Sequence, residues 1–350
     1  MVMHPEDLQH PREAGPLLTL VACARNDQHE GDSVWRLETT LNFAAESVVR
    51  TIGLESVEII VCDWGSRRPL RKAIDLTPEA RRITRFLEVP PPVAEDRQGD
   101  SVFSEVHANN AAIRRAAGRF VGRIDQDTLV GPRFFARFHD LVAGDSSSSI
   151  DAGLLFVGRR SIPLSFTEQR PPRPEIRTYI ETYGRVLPAE GIAQRPWYDA
   201  PVGIALMRRE LWHACRGYDE RLRYWGFMET DLALRLEMDH EVIDLAKRIG
   251  CDFFHLSHGA RSLGSTRRTK NPRRRPSRFA PNDADWGLAD HPLDSLQGST
   301  ASECDHSTAR ARPTDLLRVL GEWRWQLFCG ALRLVRGTLI GNRISEGGAT

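Results

Sequence analysis

Residues 109–127 read NNAAIRRAAGRFVGRIDQD. The pattern predicts a helix over 105–117 closed by Gly118, then a strand over 120–125 that delivers Asp125 and Asp127 into a polar turn. In an extended backbone residues i and i+2 point to the same side, so the two carboxylates meet and repel unless a cation lies between them. Oxygen donors with no Cys or His beside them suit Mg2+ or Mn2+. The C-terminal end of a parallel strand is also where α/β sheets bind ligands.

Working outward, LLTLVACA (17–24) predicts a first strand that ends at Arg25-Asn26-Asp27. Val34, Leu37, Leu41, Ala45, Val48 and Ile52 follow at helical spacing, with Asp32 or Ser33 as N-cap and Gly53 as stop. VEIIVC (57–62) is a continuous apolar run of strand length, the kind a parallel sheet buries on both faces. Together these make a βαβ unit. A third strand is expected over 83–89, a loop from Pro90 to Ser104, and a helix over 132–142, which places the sheet at about 15–160. In the second half, 161–200 reads as a long Pro- and Arg-rich loop, 203–211 as a strand entering a helix, 232–236 as helix and 251–259 as a strand. Residues 266–278 carry basic side chains and no acid, 290–312 read as a mobile polar stretch, and 314–340 as a last helix.

Composition narrows the function classes. Of 350 residues, 48 are Lys or Arg and 47 Asp or Glu, so the net charge of +1 argues against a general nucleic-acid binder. Cysteines 23, 62, 215, 251, 304 and 329 form no C-x-x-C pair, which argues against both a zinc site and a disulfide framework. The first 16 residues hold acids and prolines but no apolar signal core, and no apolar run approaches the roughly 20 residues of a membrane span. A cytoplasmic protein is the expectation. The last helix carries Arg318, Arg324, Arg333, Arg336 and Arg343 among Leu, Trp and Phe, a pattern for peripheral contact with the inner face of a membrane or for homo-oligomer packing.

Four further groups carry chemistry. Asp63 ends a strand, where it can accept hydrogen bonds from a ribose or a base. Asn109, Asn110 and Arg114 lie on the helix that runs into the D-x-D strand. In GYDERLRYWGFMETDLALRL (217–236), Glu229 and Asp231 open a helix, either as N-terminal caps or, beside Trp225 and Phe227, as a base with raised pKa. His255 and His258 at a strand end are both candidates to complete a metal shell.

These pieces, in this order, resemble GT-A fold glycosyltransferases, especially the inverting family-2 type with a galactosyltransferase-like C-terminal region, over residues 17–260. The resemblance implies an α/β, Rossmann-like fold with a mostly parallel central sheet flanked by helices. Its nucleotide-binding part would cover 17–130 and its acceptor part 131–260. Around it would lie an N-terminal tail (1–16), a basic loop region (261–312) and a C-terminal amphipathic helical extension (313–350). It implies that Asp63 reads the nucleotide, that Asp125 and Asp127 hold Mn2+ or Mg2+ and the diphosphate, and that Arg25, Asp27, Asn110, Arg114 and Arg123 line the nucleotide-sugar. The family's Gly-Phe-x-Glu-Asp-x-Asp-Leu segment reads Gly226-Phe227-Met228-Glu229-Thr230-Asp231-Leu232 here. Glu229 falls on the base position, and Met228 replaces the preceding acid. Trp225, Gly226 and Asp231 fall on the acceptor side, with Trp197 and Tyr198 as further stacking candidates. His258 is the better match for the metal-shell histidine and His255 the second. Trp286-Gly287-Leu288 resembles a later family segment. The implied activity is metal-dependent transfer of a sugar from a nucleotide diphosphate sugar, a UDP-sugar first, to a glycan or other hydroxyl acceptor with inversion. Two alternatives remain: a catalytically silent nucleotide-sugar- or glycan-binding protein, favoured by Met228, and a nucleotidyltransferase, disfavoured because 24–33 has neither a Gly-rich loop nor a Lys.

Overall fold

The two apolar runs that open the chain pair as parallel strands, β1 (Leu18–Ala24) and β2 (Val57–Trp64), in register from Leu18 opposite Val57 to Ala24 opposite Asp63. The computed structural model describes residues 15–27, 31–144, 148–190, 202–259, 271 and 278–297. Helix α1 (Ser33–Val49) connects the two strands, and its N-cap Asp32 takes a left-handed conformation without a side-chain cap bond. Then follow α2 (Pro78–Ile83), β3 (Thr84–Val89), α3 (Pro91–Gln98), α4 (Glu105–Arg114), β4 (Phe120–Ile124), β5 (Thr128–Val130), α5 (Pro132–Ala143), α6 (Ser148–Asp151) and β6 (Leu154–Ile162). The second half adds α7 (Leu164–Thr167), α8 (Arg173–Tyr183), β7 (Val202–Arg208), α9 (Arg209–Ala214), α10 (Met228–Leu236), β8 (Val242–Asp244), α11 (Leu245–Ile249), β9 (Phe253–Leu256) and β10 (Asp294–Gln297).

The strands form one sheet in the order β10-β3-β2-β1-β4-β7-β6-β9-β5, with β8 beside β6. The centre, β3-β2-β1-β4, is parallel throughout, while β7 runs antiparallel to both β4 and β6. The α/β class with a mostly parallel, helix-flanked sheet therefore holds. Strand alternation divides the core. Leu20, Ala22, Ile59 and Val61 face α1, α2 and α5, where Leu37, Leu41, Ala80, Phe134 and Phe138 are buried. Val21, Ile60 and Cys62 face the other way, against Val106, Ala111 and Ile113 of α4, Trp212 of α9 and Leu232 of α10. Each fully buried large apolar side chain contributes about 1.5–3 kcal/mol.

Four expectations are corrected. The sheet does not end near residue 160, because β7, β8, β9 and β10 extend it to both edges. The stretch from Pro90 to Ser104 is not all loop: α3 starts on the proline run, since proline's fixed φ suits a first helical turn and the missing N–H is not needed there. The same applies within 161–190, where α7 and α8 begin directly behind Pro163 and Pro172. The polar segment after 290, read as mobile, supplies β10, which pairs antiparallel with β3. Trp197, Tyr198, all but Asn271 and Arg278 of the Arg-rich stretch, and the C-terminal helix lie outside the described residues. Among the described residues, no helix is long and apolar enough to cross a membrane.

The entry to β4 is fixed by a close approach. The Gly118 N–H donates to Thr19 Oγ1 (2.8 Å), which itself donates to Glu58 Oε2 (2.6 Å). A Cβ on Gly118 would lie 2.4 Å from the Thr19 nitrogen and 2.7 Å from the Leu18 carbonyl carbon, both backbone atoms that cannot yield cheaply. Gly118→Ala is expected to lower stability by about 2–3 kcal/mol in urea unfolding, the cost of overpacking a rigid interior. An unchanged midpoint would show that β1 can shift.

Candidate functional site

β4 ends in a charged cluster. Arg123, 4% exposed, reaches Asp125 Oδ1 (2.5 Å) and Glu229 Oε1 (3.2 Å) and pairs with Glu105 at the start of α4. Arg159 on β6 donates from one nitrogen to Asp125 Oδ2 (2.6 Å) and Asp127 Oδ1 (3.4 Å) and from Nε to Glu190 Oε2 (2.5 Å). Asp127 turns its Oδ2 toward His258 Nε2 (3.2 Å) and His255 Nε2 (3.6 Å), with Arg36 Nε of α1 at 4.0 Å. His255 Nδ1 hydrogen-bonds Glu190 Oε1.

The two D-x-D carboxylates therefore do different things. β4 stops at Ile124, and Thr128 N–H donates back to the Asp125 carbonyl (3.1 Å), so the backbone turns between the acids and the same-side rule for a strand no longer applies. Asp125 has a guanidinium on each oxygen, while Asp127 faces the imidazoles. Asp127, His255 and His258 form the one group of potential metal donors found among the described residues, with their ligand atoms within 4.8 Å of one another. Five carboxylates (Glu105, Asp125, Asp127, Glu190, Glu229) surround three guanidiniums (Arg36, Arg123, Arg159).

Burial works against this charge. It raises Glu229 above the ordinary carboxyl value, although Arg123 opposes it. It pushes Glu105 up to about 7 against the same arginine, since one guanidinium cannot neutralise three acids. At Asp127 burial is outweighed by His255 and His258, which hold the carboxyl well below its usual range. At Glu190 burial is likewise outweighed, by His255 and then Arg159, and the carboxyl falls to about 2.

Several expected site residues have other duties. Arg123 was expected on phosphates but is consumed by three carboxylates. Asn110 is fully buried: its Nδ2 donates to the Tyr218 carbonyl (2.8 Å) and Glu220 Oε1 (3.1 Å), and its Oδ1 accepts from Tyr218 N–H (2.8 Å). Arg114 donates to the carbonyls of Ala284 and Trp286 (3.0 Å each) with its guanidinium over the Trp286 ring. Both residues fasten the 282–288 segment and the 217–220 turn to α4 and do not line the acidic cluster. Asp231 accepts from Arg235 Nε (2.8 Å), and that buried arginine donates to the carbonyls of Gly217 (2.9 Å) and Phe279 (2.8 Å). Asp231 is thus a counter-ion within the fold. Asp63 is also interior, raised to about 6 by burial, with Oδ2 accepting from Leu70 N–H (2.7 Å). Arg25 donates from Nε (2.8 Å) and a terminal nitrogen (2.6 Å) to Asp27 at the end of β1, and Trp225 is 51% exposed beside Gly226 ahead of α10. Glu105, Arg159, Glu190 and Arg36 were not anticipated. The sole signal for Arg159 is an arginine pair interrupting a strand that opens with four apolar residues.

No protein-family model matches the chain, and no curated protein matches it. Solved structures of S. aureus TarS are similar at low identity. The 1–349 form is 12% identical with a TM-score of 0.42, covering 68% of this chain and 60% of that one. The same form in complex with UDP-GlcNAc is 10% identical, with a TM-score of 0.42, covering 71% and 60%. A further S. aureus TarS structure is 12% identical with a TM-score of 0.41, covering 68% of this chain and 36% of that one. The chain thus spans about three fifths of the TarS 1–349 chain.

The raised pKa of Glu105 has a measurable consequence. The folded-state pKa of Glu105, about 7, lies above its ordinary 4.5, so its favourable contribution is complete below pH 4.5 and is lost as pH rises through 7. Glu105→Gln lacks this loss. Denaturant unfolding at pH 4.5 and 7.5 should show the stability difference between wild type and variant moving against wild type by up to about 3 kcal/mol. A pH-independent difference would overturn the assignment.

Proposed function

We propose that the chain is a metal-dependent glycosyltransferase that moves a sugar from a nucleotide diphosphate sugar, a UDP-sugar first, to a hydroxyl acceptor with inversion. One observation carries this reading. Arg123 contacts both Asp125 of the D-x-D turn (2.5 Å) and Glu229 at the start of α10 (3.2 Å), so the candidate base stands within two ion pairs of the candidate diphosphate site.

Glu229 takes the proton from the acceptor hydroxyl as the hydroxyl oxygen bonds to the anomeric carbon. The bond from that carbon to the diphosphate breaks, and its electron pair leaves with the nucleotide. Attack opposite the leaving group inverts the centre, and the transition state is oxocarbenium-like. Burial, which raises the proton affinity of Glu229, suits it to this role, since a general base works best with a pKa near the working pH. Arg123 holds the carboxylate in place and limits that rise. A divalent cation held at Asp127 supplies, when bound, neutralisation of charge on the leaving diphosphate. The nucleotide lies over the C-terminal ends of β1 and β2, beside Arg25 and Asp27. Asp63 shapes that end by holding the loop at Leu70, and the loop's Ser66 Oγ accepts from Asn26 N–H (2.8 Å). Trp225 offers an exposed ring on which an acceptor sugar stacks.

The test is a screen of nucleotide diphosphate sugars with Mn2+ that follows nucleoside diphosphate release, with and without oligosaccharide acceptors. Acceptor-stimulated release is expected for one donor, and none with any donor would sink the reading. Glu229→Gln should lower kcat by about 10²–10⁴-fold and leave the donor KM within a few-fold, as for loss of a general base. Wild-type turnover in that variant would remove Glu229 from the chemistry.

A further inference from the structure

We propose that the cation site of this chain is Asp127, His255 and His258, that His255 occupies the place a D-x-D reading gives to Asp125, and that Glu190 is the positioning residue for His255. The proposal deepens the transferase reading, but it concerns binding of the ion alone and is tested without any sugar donor.

Asp125 is excluded by its own partners. Its Oδ1 lies 2.5 Å from Arg123 and its Oδ2 2.6 Å from Arg159, so neither oxygen is open to an ion unless a buried guanidinium gives up its counter-charge. Asp127 divides its oxygens differently: Oδ1 faces Arg159, and Oδ2 faces both imidazoles at 3.2 and 3.6 Å, with Arg36 Nε farther off at 4.0 Å. Two donors on one first-row ion, each about 2.1 Å from it, lie about 3–3.5 Å apart. The observed spacings match that separation. At 3.6 Å the His255–Asp127 contact is too long for a good hydrogen bond.

His255 is also prepared for the role. Its Nδ1 is bonded to Glu190, which leaves Nε2 as the nitrogen that faces Asp127. That Nε2 is buried and has no hydrogen-bond partner. Glu190 is itself held, accepting from Arg159 Nε (2.5 Å) and Ser161 Oγ (2.7 Å). The backbone fixes the distance between the ligands: β5 and β9 pair antiparallel with Thr128 opposite His255, and Leu256 N–H donates to the Asp127 carbonyl (3.0 Å). This is a carboxylate–histidine–cation arrangement on a rigid two-strand frame. Two nitrogens and one oxygen favour Mn2+, Co2+ or Zn2+ over Mg2+ and Ca2+, which take oxygen donors.

The experiment titrates the full chain with Co2+ alone, reading its visible absorption, with Mg2+ as competitor. Co2+ should bind at least about 10-fold more tightly than Mg2+. His255→Ala should weaken Co2+ binding by at least about 100-fold and Glu190→Gln by about 10–100-fold, while Asp125→Asn changes it by less than about threefold. Circular dichroism checks that each variant is folded. Pulsed EPR of the Mn2+-loaded, unsubstituted chain gives an answer independent of any variant: two imidazole nitrogens coupled to the ion. A single nitrogen, or a loss in Asp125→Asn equal to that in His255→Ala, overturns the ligand set. Absence of saturable binding also overturns it, and leaves a histidine–carboxylate charge cluster only. A chain that binds Co2+ this way yet transfers no sugar would sink the transferase reading and leave this one standing.

Discussion

The site depends on a charge constraint: three buried or half-buried guanidiniums and five buried or half-buried carboxylates share one end of the sheet. Removing one partner of such a pair leaves an uncompensated charge in a poorly solvated place, at a cost of about 3–5 kcal/mol. The fold meets the constraint through strand direction. β7 runs antiparallel to both β4 and β6, so β4 and β6 run the same way. Arg123 near the end of β4 and Arg159 on β6 are therefore presented at the same edge, one on either side of Asp125. The acids come from elsewhere: Glu105 from the start of α4, Glu229 from the start of α10, and Glu190 from the chain beyond α8.

A second network holds the elements that bring Glu229 into place. Asn110 of α4 ties the Tyr218 backbone, Glu220 accepts from Gly287 N–H (2.8 Å), and Asn282 donates to the Arg216 and Tyr218 carbonyls (2.7 and 2.6 Å). Arg235, neutralised by Asp231, clamps Gly217 and Phe279 from inside α10. The turn before α10, the helix itself and the 279–288 segment are thus one bonded unit. Asn271 extends it to the loop of Trp225, accepting from Tyr224 N–H (3.0 Å) and donating to the Tyr224 (2.8 Å) and Gly226 (2.9 Å) carbonyls. Side chains that a motif reading places on ligand are in this protein spent on orientation. Phe227 at the N-cap of α10 adopts a left-handed φ of 71°, which costs a non-glycine residue energy and persists only where such surroundings hold it.

The parallel centre was legible because its apolar runs and helical periods are local properties of the chain. Leu18–Ala24, Ser33–Val49 and Val57–Trp64 need no distant partner to be recognised. β10 was not legible, because a four-residue edge strand with every side chain exposed owes its existence to the free edge of β3. The proline-led helices α3, α7 and α8 were misread for a related reason: the residue that ends most helices also starts them well. In the candidate site, residues at the ends of strongly patterned elements could be found from spacing, as with Asp125, Asp127 and Glu229. Arg159 and Glu190 could not, because an arginine inside a strand or an acid in a connection becomes meaningful only once the sheet order sets it against Asp125 and His255.

The backbone turn at the end of β4 also separates the two acids of the D-x-D pattern. The pattern assumes extended backbone, in which the two acids point together. Here the strand ends one residue before the first acid, so Asp125 stays with the inward-facing Arg123 while Asp127 is carried over to β5 and its partner β9. The residue opposite Thr128 on β9 is His255. Antiparallel pairing therefore puts the His255 imidazole beside Asp127, where a straight strand would have put Asp125, and the side chains gathered there are one carboxylate and two imidazoles. Sequence spacing alone determines which side chains are near one another only as far as the backbone stays regular. At the end of β4 it does not, and there the hydrogen-bond register of a neighbouring pair of strands, more than the motif, selects the chemistry.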